Sequence, residues 1–525
     1  MSLRGAGILV FFISFFYLLV GCNIHIEYLD DGAASYGAFR VLSGDIPYKD
    51  FMVVSTPAHF YVLAGLFKIF GSDLLVERVW QCVVWASAVT GLYAIAALAT
   101  SIPLGLLSAL MSLVIVGRFP HVAGSLPSTV LFSVLSIYFC LRAISSISSP
   151  RRFLPILSGA CAGFCVLFRQ DIGVYAFLSV FTTFALCHDP AKRQKGDMRK
   201  FLAGFFVSVC PLFIYLALSV PFKELFFDLV WFPMRIYPPY AYLPYPQPVF
   251  ASDFLSERMF YYYFTPLTLI FSILFLFAGW HRPKETSGHS QRFWPKCSLV
   301  IAGCLFLSQA RFRPDPVHLL PAYLISTVLF SMILASIVER KKIVLLFLVI
   351  ALVGAFLAPG ILTRGSLLFF PKKLFYLNAD RARHIGFLPG DGNQKQEISD
   401  YELAIQYVRE IASPGEEIFV GSTRHDRVCY GDPLFYFLTF TKSATKYQEM
   451  HRGVVNTENA QREIMAELER KKIPIVVERK LLDGRCEGEP NASRRADGCK
   501  LLDEYLQTHY REEKSFGGNS ILRRF

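Results

Sequence analysis

The sequence predicts a polytopic α-helical membrane protein of about eleven transmembrane helices with a small C-terminal α/β extracytoplasmic domain, each apolar run approaching the roughly 20 residues that cross a bilayer. Three observations carry that prediction. The 525-residue chain is 53% hydrophobic and only 18% charged, with a mean hydropathy of +0.40, and a soluble protein carries more charge. Apolar runs recur from the N-terminus to about Thr363. Beyond Thr363, charged amphipathic stretches alternate with short apolar ones, the pattern of a small α/β fold. The expected division is therefore a membrane domain over 1–363 and a soluble domain over 364–525.

The first run, 6–24, follows Arg4. It is longer than the apolar core of a signal peptide and has no small-x-small cleavage site, which predicts a retained helix that starts in the cytoplasm. The segment 56–70, TPAHFYVLAGLFKIF, holds His59 and Lys68 and ends at Gly71-Ser72-Asp73. It is short for a span and suits an interfacial helix on the outer surface. Spans are then expected at 74–98, 103–117, 127–146, 153–168, 172–187, 201–220, 259–280, 297–310, 319–338 and 343–362.

This arrangement places loops such as Lys192-Arg193-Gln194-Lys195 and Glu339-Arg340-Lys341-Lys342 inside. Counting 56–70 as a crossing puts the basic loops outside, against the positive-inside bias. The formal net charge of +12 is thus attributed to orientation, and nucleic acid is not expected as a partner. The expected location is a bacterial inner membrane, with the N-terminus cytoplasmic and the C-terminal domain periplasmic or extracellular. No inverted-half symmetry of the transporter kind stands out.

The long outer loop 221–258 is dense in aromatics and Pro. Interfacial anchoring by Tyr and Trp explains that composition, and so does a mobile lid or acceptor groove. In the tail, helices are expected at 397–411, 459–472 and 498–508, and strands at 417–420 and 473–478, with an edge strand at 520–523. The tail has neither a Gly-rich phosphate loop nor a nucleophile elbow. Most of the 12 cysteines lie in or beside apolar spans, where Cys packs as a small hydrophobe. Cys486 and Cys499 flank a polar loop and could pair in an oxidising compartment. Asn491-Ala492-Ser493 is a glycosylation sequon.

Chemistry concentrates first in EYLDDGAASYGAFRVLSGDIPYKDF, residues 27–51. Charge near hydrocarbon costs roughly 2.5–3.5 kcal/mol or more per group, so the adjacent Asp30 and Asp31 suggest use. Three further groups fall on the same expected face: Arg118 with His121, Arg169-Gln170-Asp171, and Arg311-Phe312-Arg313-Pro314-Asp315-Pro316-Val317-His318. His59 adds another candidate. Arg binds phosphate through paired hydrogen bonds, and a carboxylate accepts the proton of a hydroxyl nucleophile. Group transfer from a lipid phosphate to a hydroxyl needs both. The plainer alternatives are headgroup contacts for each Arg, an ion pair with Arg169 or a helix cap for Asp171, and a satisfied interfacial side chain for His318.

The order of YLDDGAASYGAFRVLSGDIPYKDF, TPAHFYVLAGLFKIFG and a span led by Glu77-Arg78 resembles the start of GT-C membrane glycosyltransferases. These include the dolichyl-phosphate-mannose protein mannosyltransferases and the bacterial lipid A aminoarabinose transferases. AGFCVLFRQDIG is similar to that group's basic residue between two short spans, and RFRPDPVHLLP to a late outer-loop motif of bacterial relatives. The resemblance extends in layout to about residue 340 and is sharpest before residue 80. It implies a polyprenyl-phosphate-linked sugar donor, inversion at the anomeric carbon, and a lipid, glycan or protein acceptor whose hydroxyl is activated by Asp30 or Asp31. Arg169 and Arg311 or Arg313 would hold the donor phosphate. Family members often have Asp-Glu where this chain has Asp31-Gly32. A second acidic motif, used by some relatives for metal, is replaced by Arg118 and His121, so no clear motif supports a divalent metal. The competing expectation is a lipid-linked sugar flippase or transporter without transfer activity.

Overall fold

The computed structural model of the chain describes residues 2–118, 124–145, 152–186, 196–247, 257–280, 289–339, 354, 358, 360–362, 364–368, 374–388, 392–428, 430–480 and 498–525. His121, Cys486, the sequon at Asn491 and most of the expected span 343–362 lie outside the described residues. Two compact units form. The first comprises Met1–Gly21, Trp80–Ile214 and Pro244–Phe369, and the second Cys22–Val79, Tyr215–Leu243 and Phe370–Phe525. Composition changes at 363, but compactness gathers the first loop and the long loop with the tail.

In chain order the helices are α1 (Leu3–Leu19), α2 (Asp30–Leu42), α3 (Ala58–Phe70), α4 (Leu74–Ala99), α5 (Ile102–Arg118), α6 (Leu126–Ser145), α7 (Leu154–Phe168), α8 (Gln170–Leu186) and α9 (Asp197–Ser219). The long loop forms α10 (Phe222–Phe226), a π-helical stretch over Phe227–Ile236, and α11 (Tyr237–Ala241). Three more apolar helices follow: α12 (Glu257–Trp280), α13 (His289–Gln309) and α14 (Pro316–Glu339). Among the described residues, Leu74–Ala99, Leu126–Ile144, Asp197–Ser219 and Pro316–Glu339 are long and apolar enough to cross a membrane, and shorter apolar helices include α1, α5, α7 and α8. The segment expected to be interfacial is the 13-residue α3.

Within the first unit, small residues let helices approach. A Cβ at Gly159 would collide with the Phe201 carbonyl, and one at Gly204 with the Ile156 carbonyl. This is close α7–α9 packing of the small-xxx-small kind, with Gly163 one turn further along. Polar side chains bond across helices instead of remaining orphaned in apolar surroundings. The Thr327 hydroxyl lies 3.0 Å from Ser108 and 2.9 Å from Ser112, and Thr183 donates to Ser298 at 3.0 Å. Arg364 donates to the carbonyls of Tyr17, Leu18 and Gly117. It satisfies orphan acceptors where α1 and α5 end, at the negative ends of both helices.

The second unit is built on a five-stranded sheet whose strands, from edge to edge, are Lys442–Ser443, Glu417–Gly421, Ile475–Arg479, Asn519–Arg524 and Tyr510–Phe516. Two short strands, β1 (Phe375–Tyr376) and β2 (Gly386–Phe387), pair separately. Then come α15 (Gly392–Ile411), β3 (Glu417–Gly421), α16 (Pro433–Thr439), β4 (Lys442–Ser443), α17 (Glu458–Lys471), β5 (Ile475–Arg479), α18 (Leu501–His509), β6 (Tyr510–Phe516) and β7 (Asn519–Arg524). β3 runs parallel to β4 and β5, and β7 is antiparallel to β5 and β6. The strand expected at the edge is therefore interior, and the charged β6 covers it. Charged side chains suit an exposed sheet edge.

Period-2 alternation assigns each strand two faces. Ile418, Val420, Ile475, Val477 and Ile521 join Tyr401, Ala404 and Ile405 of α15 in one core, which also takes Tyr36 and Ala38 of α2 and Leu63 and Phe67 of α3. Phe419, Val476 and Leu522 face the other way, onto Ile464 and Leu468 of α17 and Leu502 and Leu506 of α18. Phe232 of the π-helical stretch enters this second core. Helices α2 and α3 are thus part of the tail's own core. A Cβ at Gly32 would overlap Leu434, and the Tyr36 and Tyr436 rings stack at 5.2 Å.

Candidate active site

The two adjacent acids open α2 and face opposite fates. Helical periodicity turns successive side chains roughly 100° apart. Asp31 is fully buried. Its Oδ2 accepts from Arg78 at 2.5 Å and from the Glu27 amide at 2.9 Å. Arg78, also buried, donates to the His25 carbonyl at 3.1 Å as well. Burial raises the Asp31 carboxyl above its ordinary value, against the pull of Arg78 and the Glu27 amide. Beside this pair, the buried Glu77 accepts from Ser35 at 3.0 Å and lies 3.7 Å from His59 Nε2. Asp31, Arg78, Glu77, Ser35 and His59 together pin α2 and α3 to the first turn of α4.

Asp30, in contrast, is exposed. It makes no side-chain hydrogen bond or ion pair among the described residues. Its carboxyl is nevertheless pushed up to about 7, first by desolvation and then by the like charges of Glu27, Asp31, Glu449 and Glu77. The positive end of α2 works in the opposite direction by favouring the carboxylate. The result is an accessible carboxyl with a proton affinity near neutrality.

The predicted arginines lie in the first unit. Arg169 ends α7 and grips Asp171 with two bonds, Nε to Oδ1 at 2.9 Å and Nη2 to Oδ2 at 3.2 Å. Asp171 also accepts from Gln309 at 3.2 Å and from the Ile172 amide at 2.8 Å. Arg169 and Asp171 thus make the expected ion pair, while Asp171 also caps α8 and reaches α13.

Arg313 donates to Asp315 Oδ2 at 2.8 Å. Asp315 Oδ1 meets His318 Nδ1 at 2.8 Å and the His318 amide at 2.9 Å. Desolvation opposes ionisation of Asp315, but the His318 and Arg313 contacts outweigh it and hold the carboxyl at about 2. Arg311 is exposed and stacks over its neighbour Phe312 at 4.3 Å. It has no side-chain hydrogen bond or ion pair among the described residues. Arg118 closes α5 and is half-buried.

By sequence, Asp30 and Asp31 form one pair and Arg78 only leads a span, whereas the structure separates the two acids by pairing Asp31 with Arg78. The sequence also leaves Asp228 unmarked. That residue is buried in the π-helical stretch, and its carboxylate accepts from the Val53 amide at 3.3 Å. One acid within an aromatic loop gave no signal of this. Among the described residues, no group of three or more His, Cys, Asp or Glu is placed to hold a metal ion.

Residues 54–217 match the family model described as dolichyl-phosphate-mannose-protein mannosyltransferase. No curated protein matches the chain by sequence. Among solved structures, the chain is similar to ArnT from Cupriavidus metallidurans bound to undecaprenyl phosphate, with a TM-score of 0.56 at 12% identity over 99% of this chain and 97% of that one. It is similar to the apo form of the same protein, with a TM-score of 0.53 at 13% identity over 99% and 96%. The oligosaccharyltransferase of Archaeoglobus fulgidus in complex with Zn and sulfate matches with a TM-score of 0.51 at 10% identity, covering 90% of this chain and 68% of that one. The family model over 54–217 and the fold over nearly the whole chain are both similar to those of GT-C type membrane glycosyltransferases.

Proposed function

We propose that this GT-C type glycosyltransferase moves a sugar from a polyprenyl-phosphate donor to an acceptor hydroxyl at the outer membrane face, inverting the anomeric carbon, with Asp30 as the base. The observation that carries this is the separation of the two acids. Asp31 is consumed by Arg78, whereas Asp30 is accessible and titrates near neutrality, where a general base works best. The similarity to a structure bound to undecaprenyl phosphate supports the donor class.

In the proposed step, Asp30 takes the proton of the acceptor hydroxyl as its oxygen attacks the anomeric carbon. The bond from that carbon to the phosphate oxygen breaks, and the electron pair leaves with the phosphate. Arg311, uncommitted within its own unit, is the first candidate to receive that developing charge through charge-assisted hydrogen bonds. Arg169 and Arg313, each held by a neighbouring carboxylate, are the further candidates for the donor phosphate.

The test is sugar transfer by Asp30→Asn in purified full-length protein. A loss of about 10²–10⁴-fold, the ordinary contribution of a general base, with normal expression supports the assignment. A wild-type rate in Asp30→Asn would refute it. Impermeant labelling of the segments around Asp30 and Arg311 adds an independent check, since both must report from the outer side.

A further inference from the structure

The second unit contains a cavity of about 500 Å³ that the catalytic proposal does not use. This size falls within the roughly 300–1,000 Å³ of small-ligand sites. Its walls come from the last turn of α2 and the loop after it, the start of α10, the edge strand β4 with the segment following, and one face of α17. Glu463, Glu467 and Lys471 recur at every fourth residue of α17 and so share that face.

Most of the lining is charged, with acids and bases nearly in balance. Many of these charges are already paired. Arg40 meets Asp45 at 2.7 Å, Lys446 meets Glu463 at 2.9 Å, and Lys471 meets Glu417 at 2.9 Å. The Tyr447 hydroxyl donates to Glu463 at 2.6 Å. Such a wall has little net field. A phosphate would be repelled by the carboxylates and a cation by the ammonium groups. A paired carboxylate still has free lone pairs, however, and a paired ammonium still has free protons. Donors and acceptors side by side, fixed in advance, match ligands whose neighbouring hydroxyls both donate and accept.

We propose that this cavity binds a neutral oligosaccharide segment of the acceptor, as a subsite separate from the reacting centre. The proposal rests on the transferase assignment above and names its acceptor class as a glycan. Helix α2 supplies the link. Asp30 is its first residue, and Arg40, ten residues on, lines the cavity. At 1.5 Å per residue, the two ends are roughly 15 Å apart along one rigid helix. A short oligosaccharide reaches over that distance, with its inner sugars in the cavity and its terminal hydroxyl offered to Asp30. Lys442 on the edge strand lines the cavity without an ion-pair partner among the described residues, so its ammonium is available to the ligand.

The experiment is saturation-transfer NMR on the full-length protein in nanodiscs without donor, using maltotriose, cellotriose, mannotriose and chitotriose as probes and inorganic phosphate as the charged control. At least one trisaccharide should bind. Lys442→Met and Glu467→Gln, both at partly exposed positions, should each weaken that binding, and the double variant should weaken it about tenfold or more with an unchanged melting curve. Binding of phosphate alone, of no trisaccharide, or with indifference to both substitutions overturns the subsite. Normal sugar transfer by Asp30→Asn would sink the catalytic assignment while leaving trisaccharide binding to stand or fall by itself.

Discussion

The two units treat opposite charges in opposite ways. Around the start of α2, the structure ties down the cation, with Arg78 held by Asp31 and backbone carbonyls, and leaves the acid Asp30 accessible. In the arginine loops of the first unit, the acids are tied down, Asp171 by Arg169 and Asp315 by Arg313 and His318, and the cation Arg311 is left over. In each place one ion pair organises the backbone and one like-charged neighbour remains unspent. The difference teaches that charge alone does not distinguish these groups. On the proposed mechanism, the reacting group is a charge whose obvious partner is already occupied.

Breaking this contrast within α2 should give the largest effects. Asp30→Asn should cut transfer about 10²–10⁴-fold yet leave thermal unfolding unchanged or slightly raised above pH 7, because it removes a carboxyl that folding crowds with like charges. Asp31→Ala should do the reverse. It strands a buried Arg78, and removal of one partner of a buried pair typically costs about 3–5 kcal/mol. Poor expression or a much lowered melting temperature is expected, and near-wild-type stability would mean that Arg78 does not depend on Asp31.

The first unit offers the next test. Arg311→Gln should weaken donor recognition about tenfold to a hundredfold, in line with loss of about 1.5–3 kcal/mol for a hydrogen bond to a charged group. Donor KM measured against acceptor KM separates this from general damage. Arg313→Gln should instead show most of its effect in stability, through Asp315. Equal kinetic defects in the two variants would erase the distinction drawn between them. The pH profile sharpens the acid side. Only ionised Asp30 accepts a proton, so kcat/KM should rise with pH, pass its half-maximum near 7 and level off above that, and this limb should be missing from the residual rate of Asp30→Asn.

The membrane class, the α/β tail and most of its elements were legible because they rest on periodicity. The expected helix over 459–472 is Glu458–Lys471, and the strand expected over 417–420 is Glu417–Gly421. β6 was not legible. Its sequence YREEKSF is nearly all polar, and it is a strand only because β7 supplies the partner. The packing of the first loop with the tail was also hidden, since Tyr36 and Tyr436 meet across a separation no local pattern records. At the site, sequence named Asp30, Asp31, Arg169, Arg311 and Arg313 and preferred Asp30 to Asp31 only because it immediately follows the first span. Which partner each takes, such as Arg78 for Asp31 and Asp315 for Arg313, is set in three dimensions and leaves no local pattern.

The smallest effect on transfer should come from Asp228, a third acid that is neither paired like Asp31 nor accessible like Asp30. Desolvation, Glu224 and Glu449 push its carboxyl up to about 8, against the Val53 amide and Lys446. A carboxyl raised in the folded state above an unfolded value near 3.9 binds its proton more tightly when folded. Its contribution is therefore complete below about pH 4, declines as pH rises, and is lost once pH passes about 8. Asp228→Asn is neutral at every pH and keeps an oxygen for the Val53 amide. The melting temperature of the variant relative to wild type should increase from pH 5 to pH 8 and then flatten. A difference independent of pH would mean that Asp228 is ionised in the folded protein, and that the π-helical stretch is held to the first loop by charge instead of by a neutral hydrogen bond.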